Sequence, residues 1–146
     1  MSNIDPRVGA WKLNVGKSKF SPALLALMKV TPPKDETMVY RELSPDELEM
    51  TITGTQTDGK PIAGKSTLPR QGGVVKIQQG PFPEAVTVVA TRIDSNNSYL
   101  TYMLNGKQFL LGQSVVSKNG KQMTTTIKGA DPQGKPFEYV AVFDKQ

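Results

Sequence analysis

The sequence predicts an all-β fold: a closed antiparallel meander barrel of about 8–10 strands, with one short helix after the first strand. Three observations lead there. Two-residue turn signals recur along the chain, at Asp58-Gly59, Asn105-Gly106 and Asn119-Gly120. These residue types tolerate the positive φ that tight hairpins need. Between the turns lie runs rich in Val, Ile, Thr, Tyr and Phe, which favour strands. No helical crossovers separate most of these runs, so neighbours in sequence pair antiparallel in space. A meander of that length removes its edges by closing on itself.

The expected strands are Gly9–Val15, Met38–Leu43, Leu48–Thr57, Lys60–Leu68, Gly73–Gln78, Ala85–Ile93, Ser98–Leu104, Lys107–Ser117, Gln122–Gly129 and Pro136–Asp144. Asp94-Ser95-Asn96-Asn97 and Asp131-Pro132-Gln133-Gly134 supply two further turns. One segment departs from the pattern. Ser21 is a helix cap and Pro22 suits the first helical position, so Pro22–Lys29 is expected to form about two turns of helix before Thr31-Pro32-Pro33 stops it. A faint echo links the segment from Thr51 to Pro61 with that from Thr125 to Pro136, and shared hairpin chemistry explains it. No linker or low-complexity tract interrupts the chain, so residues 1–146 are expected to form one domain.

Composition removes whole classes of chemistry. With no cysteine there are no disulfides and no thiolate. With no histidine the commonest metal ligand and the usual neutral-pH base are missing, and Ser–His or Cys–His nucleophile pairs with them. Only oxygen ligands remain, and no carboxylates have calcium-loop spacing, so neither metal nor cofactor is expected. The net charge is +5, but the lysines stand singly beside turns, as at Lys60, Lys107, Lys118, Lys121 and Lys135. No basic stripe or Arg–aromatic interleaving suggests a nucleic-acid partner. No window is long enough to cross a bilayer as a helix. The N-terminus has no apolar stretch after a basic region, so a cytoplasmic location is expected.

Tight turns set register, and register sets which residues share a face. The Asn105-Gly106 turn would pair Leu104 with Lys107, Tyr102 with Phe109 and Leu100 with Leu111. The Asn119-Gly120 turn would pair Val116 with Met123 and Gly112 with Ile127. One face then carries Tyr99, Thr101, Met103, Gln108, Leu110, Gly112, Ser114, Val116, Met123, Thr125 and Ile127 without a charge. That face is expected to be the lumen, with Arg92 opposite Tyr99 and Val86, Val88 and Ala90 on the same side. The opposite face exposes Leu100, Tyr102, Phe109 and Leu111, a patch that suits a homodimer contact.

The opening Gly9-Ala10-Trp11-Lys12-Leu13-Asn14 and the following Lys17-Ser18-Lys19-Phe20-Ser21-Pro22 resemble small bacterial lipocalin-like proteins of the calycin group. Val115–Lys121, Met123-Thr124 and the ending Val140-Ala141-Val142-Phe143 are similar to the same group. The resemblance implies a lipocalin-like barrel in which Trp11 plugs one end, with an arginine from the last strands packed on it. No arginine follows Arg92. A helix at the mouth, as in fatty-acid-binding proteins, implies a lid.

Several side chains suit a small-molecule site. Arg41 and Arg92 fit a two-pronged carboxylate clamp if they point inward, and are ordinary surface arginines if they do not. Tyr40, Tyr99, Tyr102 and Tyr139 offer hydroxyl donors. Met103, Leu110 and Met123 provide apolar wall. Leu24, Leu25, Leu27 and Met28 form either a lid or a helix packed on the barrel. Among the carboxylates Glu42, Asp46, Glu47, Glu49, Glu84 and Glu138, the last becomes an acid–base candidate if it faces inward, with Tyr99 and Arg92 beside it. The leading expectation is binding of a small apolar or amphipathic molecule in the lumen through Arg41, Tyr40, Arg92, Tyr99, Met103, Leu110, Met123, Leu25 and Met28. The alternatives are a cofactor-independent isomerase or cyclase using the same lumen, and an interaction module using the outer patch.

Overall fold

The computed structural model describes residues 5–80, 82 and 85–146. Ten strands follow one another around a closed barrel: β1 (Gly9–Leu13), β2 (Pro33–Ser44), β3 (Glu47–Gln56), β4 (Pro61–Pro69), β5 (Gly72–Gln79), β6 (Val86–Asp94), β7 (Asn97–Leu104), β8 (Lys107–Val116), β9 (Gln122–Ala130) and β10 (Pro136–Lys145). Every pairing is antiparallel between sequence neighbours, and β1 closes the ring against β10 with Trp11 opposite Lys145. The helix α1 (Pro22–Met28) follows β1. The Ser21 hydroxyl accepts from the Leu24 amide, and Lys29 ends the helix in the left-handed conformation. Nine strands match their expected bounds to within two residues. β2 starts five residues before Met38, because Pro33 stands at the first position of a strand, where its missing N–H costs no ladder bond.

Alternation of strand direction gives the barrel two unlike ends. At one end lie the β2–β3, β4–β5, β6–β7 and β8–β9 turns and the segment leading into β1. At the other lie α1 and the β3–β4, β7–β8 and β9–β10 turns.

The first end is sealed. Trp11 has no exposed surface and packs in the core. Its indole Nε1 donates to the Arg7 carbonyl at 2.8 Å. The Lys145 ammonium sits 4.8 Å from the ring centroid and donates to the Val8 carbonyl at 2.8 Å. The cation on the tryptophan thus comes from the last strand as a lysine rather than an arginine. Beside it lies a charge cluster around Asp5, whose side chain is wholly buried. Arg7 binds Asp5 with Nε at 3.0 Å and Nη2 at 2.9 Å, Arg92 Nη1 reaches it at 2.9 Å, and Arg70 Nε stands 3.5 Å away. Burial alone would raise the Asp5 carboxyl. The hydrogen bonds and charge of Arg7, with the charge of Arg92, reverse that and hold it at about 2.

Two β-bulges overturn the expected face of β7. Leu104 pairs with Lys107 as expected and Met103 with Gln108, but Tyr102 then pairs with Leu110, so Phe109 is an extra residue. On the other side Asp94 pairs with Asn97 but Arg92 with Ser98, which makes Ile93 extra. One inserted residue at each border slips the pairing by one, and a one-residue slip exchanges faces. Ser98, Leu100 and Tyr102 therefore turn inward, and Tyr99, Thr101 and Met103 outward. The faces of β8 and β9 are as expected: Leu110, Val116 and Met123 are buried. The proposed dimer patch does not exist as one surface, because Leu100 and Tyr102 line the lumen and Phe109 packs partly against the core, leaving Leu111 outside.

Candidate functional site

Between the sealed end and α1 the barrel encloses a cavity of about 260 Å³. Alternation along each strand supplies its walls: Met38 and Tyr40 from β2, Met50 and Ile52 from β3, Leu100 and Tyr102 from β7. The α1 side chains Leu24 and Met28 form part of the lining, whereas Leu27 is half exposed. Phe82 packs against Tyr102 with ring centroids 5.2 Å apart, and Phe20 against Tyr139 at 5.3 Å, the rings tilted by 42° and 41°. Burial pushes the hydroxyls of Tyr40 and Tyr102 above the usual phenol range, so both remain neutral donors. Ser66, Ser114 and Thr125 add uncharged polar groups to the wall.

Among the described residues the acidic group of the lumen is Glu36. It shares the inward face of β2 with Met38 and Tyr40, two and four residues on. It pairs with Gly54 just past a register shift between Pro33 and Asp35. A Cβ on Gly54 would collide with the Asp35 carbonyl oxygen, so only glycine lets β3 pass this close to the irregular start of β2. Burial raises the Glu36 carboxyl from 4.5 to about 7. Among the described residues no hydrogen bond or ion pair reaches it. Tyr139, on β10, is raised by burial and then by the charge of Glu36. A second cavity of about 230 Å³ shares Glu36, Ile62, Ala63 and Gly80 with the lumen and continues to Thr31 and Gln56. Glu36 therefore stands between the deep cavity and the space below the α1–β2 connection.

Comparison with solved structures bears on the fold. Wild-type fluorescent protein UnaG superposes with a TM-score of 0.63 at 12% identity, over 95% of this chain and 96% of that one. A point mutant of UnaG gives 0.69 at 10% identity, over 97% and 96%. The fold is that of a lipocalin-like barrel. No known protein-family profile matches the sequence, and no curated protein matches it.

In this barrel the residues singled out from sequence separate into four groups. Leu24, Met28, Tyr40, Tyr102 and Tyr139 line the lumen. Leu25, Leu110 and Met123 are buried but stand behind the open space. Arg92 turns inward but at the sealed end, where it binds Asp5 and the carbonyls of Arg70, Asp94 and Ser95. The remainder lie outside. The Arg41 side chain is 65% exposed and pairs with Glu49 at 2.9 Å. Glu138 is 53% exposed and pairs with Lys128 at 3.5 Å, so it is the solvated outer residue and not an inward acid. Tyr99 and Met103 are turned out by the bulges. Glu84 lies outside the described residues. Glu36 escaped the sequence reading, although Glu36, Met38 and Tyr40 alternate with Thr37, Val39 and Arg41 and so mark one inward face. Among the described residues no group of three or more acidic side chains could hold a metal ion, and no helix is long and apolar enough to cross a membrane.

Proposed function

We propose that this barrel binds a small, largely apolar molecule in its lumen. The observation that carries the reading is the cavity of about 260 Å³ with apolar walls, polar at a few points only, beneath the α1 side chains. That volume equals roughly nine waters of liquid, at about 30 Å³ each. A neutral, environment-sensitive naphthalene dye is expected to bind at one site per chain. Filling the lumen with Ser114→Phe should abolish binding without unfolding the barrel, and Leu24→Asp or Met28→Asp should weaken it. Dye binding indifferent to all three changes refutes the lumen as the site.

Glu36 favours a second reading, a cofactor-independent isomerase or cyclase. An acid that titrates near 7 beside an apolar substrate is poised to give and take a proton. Glu138 and Tyr99 do not reach the lumen, so this role falls to Glu36. Multiple-turnover conversion of a bound compound, resolved by chromatography because isomers share a mass, would establish the enzyme if Glu36→Gln removed it.

A further inference from the structure

The placement of charge narrows the ligand class, an inference that rests on the lumen-binding reading. The chain has four arginines, and none reaches the cavity. Arg7, Arg70 and Arg92 surround Asp5 at the sealed end, and Arg41 pairs with Glu49 outside. Lys65 borders the cavity, but its ammonium is directed to Glu49, 3.6 Å away. Among the described residues, what remains at the lumen is the Glu36 carboxyl with the hydroxyls of Tyr40, Tyr102 and Tyr139, of which Tyr139 feels the charge of Glu36.

We propose that Glu36 selects, among the apolar molecules the lumen admits, those that carry a protonated amine, which its carboxylate receives at the neck between the two cavities. A carboxyl group in an apolar wall without a protein partner is costly to ionise, and an ammonium brings the counter-charge and donors it lacks. The apolar body then lies against Met38, Leu100 and Ile127 while the amine faces the more polar cavity beside Thr31 and Gln56. A carboxylate-headed ligand would set two anions together with no cation among the described residues to join them. The arginine clamp expected from sequence is thus replaced by a group of opposite sign.

The test compares octylamine, octanol and octanoate, probes of matched length suited to the cavity volume, by calorimetric titration at pH 8. Octylamine should bind at least tenfold more tightly than either of the others. Glu36→Gln should erase that preference, and Glu36→Asp, which keeps the carboxylate, should retain part of it. Circular dichroism checks that both variants fold, and the comparison on the unaltered protein stands without them. If none of the probes binds, the lumen-binding reading itself fails. If they bind and Ser114→Phe blocks them, that reading stands. Equal affinities, a preference for octanoate, or an amine preference that survives Glu36→Gln would then overturn the role of Glu36 alone.

Discussion

Asp5→Ala is expected to cost about 3–5 kcal/mol, the scale for removing one partner of a buried ion pair. The carboxylate is wholly buried and meets Arg7 and Arg92 at 2.9 Å and Arg70 at 3.5 Å. Its loss leaves those guanidinium groups at the sealed end without their shared anion. Acid titration gives a lower bound. The carboxyl stands at 3.8 in the unfolded chain and about 2 in the fold. At about 1.4 kcal/mol per pH unit, that gap contributes about 2 kcal/mol. Because the folded value is the lower one, the contribution is complete above pH 3.8 and is lost as pH falls towards 2. Trp11 is the one tryptophan, and its indole bonds the Arg7 carbonyl, so its fluorescence reports this end directly. Urea unfolding of the unaltered protein and the variant, at neutral pH and between pH 4 and 2, measures both quantities. A cost below about 1 kcal/mol, the range of exposed pairs, would refute the argument. So would an acid slope that is unchanged in the variant.

Other expectations follow from burial and register. Glu36 has the opposite linkage: its folded pKa is raised from 4.5 to about 7, so stability should fall as pH rises through that window. The loss is at most about 3 kcal/mol, and Glu36→Gln should flatten the slope in urea titrations. Trp11→Ala should cost about 3–5 kcal/mol through the cavity it leaves, measured by far-ultraviolet thermal melting because the variant lacks the fluorophore. The inversion of β7 is tested by neighbours: Leu100→Asp buries a charge in the lumen and should lower stability by several kcal/mol, whereas Thr101→Asp should cost about 1 kcal/mol or less. Thermal melts giving the reverse order would restore the face read from sequence.

Strands and turns were legible because their signals are local. Asn105-Gly106 and Asn119-Gly120 announce hairpins, and the runs between them have strand composition. The lumen was harder to read because inside and outside depend on a count of residues. Phe109 and Ile93 each add one, and neither bulge carries a Gly or Pro signal. The faces of β8 and β9 were therefore read correctly while β7 between its two bulges was reversed. Glu36 was missed because Pro32-Pro33 and the charged Lys34-Asp35 concealed the start of β2. The Asp5 cluster was missed for a different reason. Asp5 meets Arg7 two residues on but Arg70 and Arg92 only through tertiary closure, and those two contacts carry no periodicity a sequence could show.

The seam between β1 and β10 also bears on how the barrel is made. Asn14 donates to Asp144 at 2.9 Å across a separation of 130 residues. During synthesis, β1 emerges first and keeps one edge unpaired until β10 is free to join it. Ring closure therefore waits for the last strand of the ring, and the high sequence separation of its contacts predicts slow folding with an aggregation-prone open sheet as the hazard. The same adjacency makes the molecule suited to circular permutation. Gln146 already donates to the Ala10 carbonyl at 2.9 Å, so a short flexible tether could join the strands, and new ends opened at the exposed Asn119-Gly120 turn would turn the slowest seam into a local hairpin.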